Sequence, residues 1–438
     1  MKLWAKDQSV THEIVEQFTV GRDREFDLML AQYDVQGSLA HTQMLAKVGL
    51  LSSEDWVVVQ KGLLDIQSEI QAGQFEIESD VEDVHSQIEL LLTRRIGEAG
   101  KKIHAGRSRN DQVAVDIKLF LRAELSEIKT AVLTLFEQLL DLCEKHKDVL
   151  LPGYTHLQVA MPSSFGLWFG AWAESLVDDM ELLVAASRVA DKNPLGSGAG
   201  YGSAFPLDRT LTTGLLGFRT MHFNAVNAQM SRGKTEKIMA MAMANLGSTL
   251  ARFSMDICLY LSQNFNFISF PPELTTGSSI MPHKKNPDIF ELIRAKCNRL
   301  QALPNELSLL LTNLPSGYHR DLQLTKEILF PAIGDLKNCL AMMQHALQFI
   351  EVRHDILHDE RYRYLFSVEA VNELVAQGAS FREAYKTVGN EIEVGNFKWD
   401  ASKGLHHTHE GSMGKLCTAE IRAEMRTVLE RFQTVRRI

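Results

Sequence analysis

Residues 110–145 read NDQVAVDIKLFLRAELSEIKTAVLTLFEQLLDLCEK, and this stretch decides the fold class. Its apolar side chains recur at steps of three and four residues, as Ile117, Leu121, Leu125, Ile128, Val132, Leu135, Leu139 and Leu142. This spacing predicts an amphipathic α-helix of ~35 residues, which is ~50 Å long at 1.5 Å per residue. Asn110 or Asp111 is the expected N-cap.

Four more long segments carry helical patterns, at roughly 163–191, 231–263, 287–313 and 323–352. The third of the five segments is apolar nearly all round, so other helices must surround it, within the subunit or between subunits. Pro304 and Pro331 are expected to kink the last two. Strand-like alternation is scarce. The sequence therefore predicts an all-α fold built on an elongated five-helix bundle.

The chain of 438 residues exceeds the size of one ordinary core, so we expect two or three domains. Shorter helical patterns with polar breaks occupy the N-terminal part, and shorter helices with Gly-containing breaks occupy the C-terminal part. The expected division is an N-terminal helical domain at 1–107, the long bundle at 108–353, and a small helical domain at 354–438.

Composition narrows the function classes. A net charge of −9 argues against nucleic acid as the main partner. Five scattered cysteines without a CxxC pair exclude a disulfide framework and a thiolate zinc site, and they suit a reducing cytosol. Neither an N-terminal signal segment nor an apolar run long enough to cross a bilayer is present, so we expect a soluble, cytoplasmic protein without a membrane partner.

Polar clusters lie at the starts of four long helices. They are 104–112 before the first, 153–158 before the second, 276–287 before the fourth and 318–323 before the fifth. If the helices alternate in direction, the clusters before the second and fourth helices share one end of the bundle. The clusters before the first and fifth helices share the other end, ~50 Å away. The sequence therefore predicts an obligate oligomer whose subunits complete each other's active sites.

Each of these clusters has a functional interpretation and a purely structural one. The loop around Ser278 and Lys284 is suited to meeting an anion, with Ser278 as a base or nucleophile, or it is an ordinary basic loop. The 107–111 segment offers two guanidinium groups for carboxylates, or it is a helix cap with solvated arginines. His156 lies in a segment expected to be partly buried, where it transfers protons or is a core histidine.

Two further motifs are weaker. The glycine-rich stretch 196–202 superficially resembles a dinucleotide-binding loop, but no strand precedes it, so a turn or connection is expected. The histidines of 406–409 invite a metal interpretation, yet they lack a helical i, i+4 pair and a nearby acidic set. We expect no metal there.

Three regions together carry a family resemblance: 104–113 (HAGRSRNDQV), 152–158 (PGYTHLQ) and 277–288 (GSSIMPHKKNPD). They resemble the signature regions of the fumarase/aspartase superfamily, and most closely those of its argininosuccinate lyase branch, whose relatives include the delta-crystallins. The likeness runs from about residue 10 to about residue 390 and includes EDVH at 82–85 and FREA at 381–384.

The resemblance implies elimination of fumarate from argininosuccinate, without metal or cofactor. Ser278 would be the base, and His156, oriented by Glu291, would manage the proton at the departing nitrogen. The acid and base roles of Ser278 and His156 are assigned both ways within the family, and we favour Ser278 as the base. The implied substrate contacts are Ser108, Arg109, Asn110, Thr155, Lys284 and Asn286 at the succinyl end, and Tyr318, Gln323, Lys326, Arg232 and Asp27 at the arginine end. The implied assembly is a homotetramer in which each site draws on three subunits.

Some positions depart from the family pattern. Asp23 stands where a substrate-contacting Ser is usual, His283 replaces a Gln, Arg320 replaces a Lys, and Thr325 stands where an acid is common. The residues implied at the succinyl end match the family pattern, whereas residues at the far end depart from it. The preference for the leaving group therefore stays an open question at this point. Two alternatives remain: another fumarate-releasing lyase, such as one acting on adenylosuccinate, and a structural lens protein with little activity.

Overall fold

The computed structural model describes residues 13–400 and 404–432. These residues form α-helices linked by loops and a few short strands, so the prediction of an all-α fold with a central bundle is confirmed. The N-terminal helices are α1 (Glu13–Val20), α2 (Asp23–Lys47), α3 (Ser53–Gln71), α4 (Val84–Ile96) and α5 (Glu98–Lys101). The central helices are α6 (Arg109–Lys145), α7 (Phe165–Ala190), α8 (Arg209–Leu215), α9 (Ala225–Met230), α10 (Lys234–Leu261), α11 (Asp288–Leu300), α12 (Leu303–Leu310) and α13 (Thr325–Leu347). The last are α14 (Ser367–Ala376), α15 (Phe381–Glu393) and α16 (Thr418–Glu430).

The strands form three two-stranded sheets among the described residues. An antiparallel hairpin joins β1 (Leu150–Thr155) to β2 (Gln158–Ser164), and β3 (Lys192–Asn193) pairs in parallel with β4 (Thr220–Met221). The antiparallel pair of β5 (Ile268–Ser269) and β6 (Glu351–Val352) ties the end of α10 to the end of α13.

The bundle consists of α6, α7, α10, the α11–α12 pair and α13, which match the five long segments of the sequence. Helix α6 packs along α7 and α13, and α10 packs along α7 and α11. Their inward side chains share one hydrophobic core, to which Leu121, Phe169, Leu246 and Leu336 each contribute a fully buried side chain.

The fourth long segment is two helices rather than one. Helix α11 ends at Leu300, and α12 begins at Leu303 with Pro304 as its second residue. A proline ring clashes with the carbonyl group four residues earlier, which here belongs to Leu300, and the helix is interrupted between Leu300 and Leu303. Helix α13 continues through Pro331.

Helix α10 is not fully covered by this one chain. Phe253 and Leu246 are buried, whereas Met241 and Met255 remain 47% and 46% exposed. Such half-exposed methionines on a nearly all-apolar helix are what contact with another subunit would cover.

Three smaller cores flank the bundle. One lies among α2, α3 and α4 and includes Leu63 and Ile88, and another lies between α14 and α15 and includes Val388. The third joins the end of α2 to Leu51. Helix α16 packs against α7 and adds Met425 to the bundle core. The boundaries expected at 107 and 353 stay a prediction.

The β1–β2 hairpin is absent from the sequence-based expectation. Its turn places His156 and Leu157 at φ 54° and 57°, between the paired residues Thr155 and Gln158. Two-residue hairpin turns of this kind favour Asn or Gly because positive φ strains other side chains. The sequence therefore lacks the usual turn signal at this point.

Among the described residues, no helix is long and apolar enough to span a bilayer.

Replacing a core side chain of α6 tests the packing. Phe136 is 1% exposed in the bundle core, and we expect Phe136→Ala to lower the free energy of unfolding by ~3–5 kcal/mol because it leaves a cavity. The midpoint of urea denaturation measures this loss. The matched control is Val57→Ala at a position that is 64% exposed, and an equal loss in both variants would contradict the assigned packing.

Candidate active site

A charged cleft of about 270 Å³ lies where the N-terminal helices meet the start of α6 and the start of α13. Its walls are formed by Val20, Asp23, Asp27, Glu82, Asp83, His85, Arg109, Asn110, Val113, Arg232, Tyr318, Arg320, Gln323 and Lys326. Seven of these residues belong to the predicted substrate site: Asp27, Arg109, Asn110, Arg232, Tyr318, Gln323 and Lys326. The first and last clusters of the bundle therefore do share one end.

The start of α6 is held by a capping box. The Ser108 side chain caps the helix by accepting from the Asn110 N–H at 3.3 Å, and the Asp111 carboxylate accepts from the Ser108 N–H at 2.8 Å. The expectation that Asn110 or Asp111 is the N-cap is wrong, because Asp111 acts instead as the reciprocal partner inside the helix. Ser108 thus fixes the backbone that carries Arg109 and Asn110 into the cleft.

Asp111 also binds the glycine-rich loop. Its second carboxylate oxygen accepts from the N–H groups of Gly196 at 2.9 Å and Gly198 at 2.8 Å. Gly196, Gly198, Gly200 and Gly202 all have positive φ, which explains the glycine content. Because the chain's own carboxylate occupies these N–H groups, they do not cradle a phosphate, and the loop is a connection as expected.

Arg109 faces acids of the segment that precedes α4. Its guanidinium lies 2.9 Å from Asp83 Oδ2 and 3.3 Å from Glu82 Oε2, and it donates to Ser86 Oγ at 3.0 Å. The arginine is therefore positioned rather than solvated. Arg107, the other arginine of this cluster, is buried and donates to Ser38 Oγ.

The segment before α13 forms the opposite wall. Gln323 Nε2 donates to the carbonyl groups of Thr19 at 3.1 Å and Val20 at 3.2 Å. Arg320 donates to Glu82 Oε1 at 3.1 Å and to Gln323 Oε1 at 3.2 Å. These hydrogen bonds hold the end of α1 and Glu82 against the segment that precedes α13.

Lys326 lies at the base of the cleft between two carboxylates. Its Nζ is 2.5 Å from Asp23 Oδ1 and 2.5 Å from Asp27 Oδ1. Burial, and then repulsion by Asp27, raises the pKa of Asp23 to about 6, although Lys326 acts in the opposite direction. Burial opposes the charge of Lys326, but attraction to Asp27 and Asp23 outweighs it and raises the lysine pKa.

The second group of predicted residues lies on the loop before α11. The Oγ of Ser278 accepts from the N–H groups of Met281 at 3.1 Å and Ile280 at 3.3 Å. Thr276 and Asn286 exchange backbone hydrogen bonds that close the base of the loop, at 2.8 and 3.2 Å. Lys284 is exposed at its tip. N–H groups directed at the Ser278 oxygen would stabilise its alkoxide.

The third group lies at the tip of the β1–β2 hairpin. Thr155 and His156 are both exposed there. The expectation of a partly buried segment is wrong at this point, because a two-residue turn projects its side chains away from the bundle. Exposure also removes the interpretation of His156 as a core histidine.

Glu291 and His156 do not meet within one chain. Glu291 lies in the first turn of α11, its side chain is 50% exposed, and its carboxylate lies 3.9 Å from Arg294. Among the hydrogen bonds of the described residues, none joins Glu291 or Ser278 to His156.

The cleft and the two loops lie at opposite ends of the bundle. Helix α6 runs for 37 residues between the cleft and the hairpin, which is ~55 Å. At the hairpin end, the Tyr154 ring packs on Phe265 and Phe267, in the segment that leads from α10 to the Ser278 loop. Thr155, His156, Ser278, Lys284, Asn286 and Glu291 are thus separated from the cleft by the length of the helix.

Sequence reasoning missed the acidic wall of the cleft. Glu82 contacts both Arg109 and Arg320, the arginines of the opposite walls. Asp83 contacts Arg109 and also caps α4 by accepting from the Ser86 N–H. The available signal was the acidic pair Glu82 and Asp83 directly before a helical pattern. Such a pair predicts a helix cap, but it does not predict ion pairs with residues as distant in the sequence as Arg109 and Arg320.

A buried ion network supports this wall. His85 Nδ1 is hydrogen-bonded to Asp34 and lies 3.6 Å from Asp116 Oδ2. Burial opposes the charge of His85, but attraction to Asp34 outweighs it and raises the pKa of His85 to about 9. Burial, and then repulsion by Asp34, raises the pKa of Asp116 well above its usual value.

The same three residues are the one group in the described chain whose donor atoms lie close enough to share a metal ion. A metal would have to displace the proton of His85, since a metal ligand must be a neutral imidazole. The buried guanidinium of Arg107 already adds a positive charge that attracts Asp34 and Asp116. We therefore interpret the group as an ion-pair network.

The histidine tract lies at a second cleft of about 860 Å³, beside α14 and Met161 of the hairpin. His407 Nε2 lies 3.0 Å from Glu369 Oε1, so an acid does accompany the tract, contrary to expectation. The donor atoms of the tract do not form a close metal-ligand group in the part of the chain that the structure describes.

Comparison with known proteins shows the family to which the chain belongs. The sequence pattern of a family described as lyase matches residues 8–302. Argininosuccinate lyases of Bacteroides fragilis and Parabacteroides distasonis are 56% and 57% identical to this chain, each over 98% of the chain and 96% of the relative. This chain belongs to the argininosuccinate lyase family. It is therefore a lyase.

The fold of this lyase also matches a solved structure. An EDDS lyase in complex with formate superposes with a TM-score of 0.77 at 21% identity, covering 97% of this chain and 91% of that one. At that identity the likeness concerns the fold.

The ion network of this lyase makes a pH-dependent contribution to stability. The folded pKa of His85, about 9, lies above its unfolded value of 6.5. This contribution is therefore fully present below pH 6.5 and is lost as the pH rises through 9. We expect wild type to exceed His85→Gln in unfolding free energy by ~1–3 kcal/mol at pH 6, with the difference shrinking by pH 10.

Urea denaturation midpoints between pH 6 and pH 10 measure this difference. His358→Gln, at an exposed position, serves as the control and should follow wild type throughout. A difference between wild type and His85→Gln that stays constant with pH would show that the pair is not charged.

Proposed function

We propose that this lyase splits argininosuccinate into arginine and fumarate by β-elimination, as a step of arginine biosynthesis. The observation that carries the proposal is the convergence of Asp27, Arg109, Asn110, Arg232, Tyr318, Gln323 and Lys326 on one charged cleft. A substrate with carboxylates at both ends and a guanidino group between them suits such a cleft. The names of the curated relatives, matched over nearly the whole chain, support the same substrate.

Ser278 is the proposed base. It removes a proton from the carbon next to a succinyl carboxylate, and the electron pair spreads into that carboxylate as an aci form. The N–H groups of Ile280 and Met281, which already donate to Ser278 Oγ, support its alkoxide. Lys284 and Asn286 stabilise the extra carboxylate charge, together with Ser108, Arg109, Asn110 and Thr155.

His156 supplies the other proton. As the carbon–nitrogen bond breaks, its electron pair moves to the departing guanidino nitrogen, which takes a proton from the imidazolium. Glu291 orients the His156 ring from a neighbouring subunit. The products are fumarate and arginine, and the proton from carbon remains on Ser278 until it is released to solvent.

Shared sites in a homotetramer are part of the proposal. The ~55 Å length of α6 keeps His156 and Ser278 away from the cleft of their own chain, so antiparallel neighbours must bring them to it. The exposed methionines of α10 and the exposed apolar side chains Leu157 (73%) and Ile280 (82%) support contact between subunits.

The remaining assignments follow from this function. We place the enzyme in the cytoplasm, in keeping with its free cysteines, and without nucleic acid or membrane partners. The domain division at 107 and 353 is proposed on the bundle core, the core among α2, α3 and α4 and the core between α14 and α15, with α16 packed on the bundle.

Fumarate release tests the substrate. Followed by its ultraviolet absorbance, fumarate should appear from argininosuccinate and not from adenylosuccinate, aspartate or malate. Ser278→Ala should lose turnover by about 10²- to 10⁴-fold, because it removes the base. Ser279→Ala, its neighbour on the same loop, should keep most of the turnover. Wild-type protein that releases no fumarate from argininosuccinate would refute the proposed function.

Subunit mixing tests the shared sites. Ser278→Ala and His156→Asn are each expected to be inactive. Randomly mixed 1:1 tetramers should recover about one quarter of wild-type activity, because each site draws the two residues from different subunits. A site built within one chain would recover nothing. Native mass spectrometry of size-tagged subunits confirms that hybrids form, and inactivity despite hybrids would contradict sharing.

A further inference from the structure

The base of the cleft has one cation for two anions. Lys326 Nζ lies 2.5 Å from both Asp23 and Asp27, and it is only 3% exposed. One ammonium group neutralises one carboxylate, so this corner of the cleft carries an excess negative charge when both acids are ionised.

The two acids are not equivalent. Asp27 is 1% exposed, and its second oxygen accepts from the Val84 N–H at 3.2 Å, so its carboxylate is satisfied by the protein. The Asp23 side chain is 17% exposed and lines the cleft. Burial, and then repulsion by Asp27, raises the pKa of Asp23 to about 6, as expected for a carboxylate that lacks a full counter-charge.

The nearby arginines supply little of that counter-charge, since the attraction of Arg232 is the weakest of the influences on the pKa of Asp23. Arg232 is ion-paired with Glu236 at 3.0 Å and donates to the Leu322 carbonyl. Arg320 is paired with Glu82 across the cleft. Asp23 is therefore the acid in the cleft whose negative charge a cationic group of the ligand would balance.

We propose that Asp23 is a specificity-determining residue that binds the α-ammonium group of the amino acid released as the leaving group. The inference rests on the proposed function. Argininosuccinate carries its succinyl carboxylates at one end and its ammonium group at the other. With the succinyl end at Arg109 and Asn110, the amino-acid end reaches Lys326 and Asp23, where Lys326 also attracts the α-carboxylate.

Binding of two products tests the pairing directly. L-arginine and 5-guanidinopentanoate differ only by the α-ammonium group, and calorimetry measures the affinity of each. Wild type should prefer L-arginine by ~10- to 100-fold, the range expected for a charged hydrogen bond. Asp23→Asn keeps the shape but loses the charge, so its preference should fall to within ~3-fold. Asp321→Asn removes an exposed charge from the neighbouring 320–324 turn and should behave as wild type.

Kinetics give a second readout. Asp23→Asn should raise the KM for argininosuccinate by ~10-fold or more while kcat changes much less, because the contact forms in the ground state and the transition state alike. The KM of wild type should rise as the pH falls below about 6 and Asp23 takes up a proton. The charged groups that face Asp23 are Asp27 of α2, Lys326 of α13 and Arg232 of the turn before α10. These groups are unchanged in Asp23→Asn, so the KM of the variant should not rise over the same pH range.

The outcomes are separable from those of the proposed function. Loss of fumarate release by wild type refutes the function. If wild type releases fumarate normally, two results overturn the role of Asp23. One is an unchanged preference of Asp23→Asn for L-arginine over 5-guanidinopentanoate, and the other is an equal loss of affinity for both compounds. If Asp23→Asn does not fold, as judged by circular dichroism, Asp23→Ser is measured in its place, and the same two results decide.

Discussion

The length of α6 is the constraint on which the rest of the structure depends. Its 37 residues form a rigid rod of ~55 Å, and side chains such as Leu121 and Leu135, which are 0% exposed, lock it between α7 and α13. A rod of that length cannot bring both of its ends to one substrate. Under the proposed function, the polar groups at its two ends belong to different sites, and assembly of several chains is part of the chemistry.

The cleft is where the N-terminal helices dock onto this rod. Arg109 pairs with Asp83, Arg320 with Glu82, and Lys326 with Asp27, so each ion pair joins the N-terminal part of the chain to the bundle. Partly buried pairs of this kind contribute little to net stability because desolvation offsets their attraction. They do fix where the charged groups stand before a substrate arrives, which limits the reorganisation that binding requires.

The opposite end of α6 carries exposed loops rather than packed side chains. The Ser278 loop and the β1–β2 hairpin are exposed, and the hairpin turn holds His156 and Leu157 at positive φ without glycine. Strained backbone persists only where the surroundings or the function require it. Exposed Leu157 and Ile280 beside the polar residues make these tips suited to insertion into a neighbouring subunit.

The sequence by itself determined the long helical segments, because helical periodicity is a property of neighbouring residues, and it marked Pro304, near which the fourth segment divides into α11 and α12. It also indicated the proposed residues of the site through their family resemblance. Only the tertiary structure decided that Ser108 caps α6, that Asp111 binds the glycine-rich loop, and that Asp23 shares Lys326 with Asp27. These contacts join residues up to about 300 positions apart, and burial and charge pairing over such separations arise from packing, which no local pattern records.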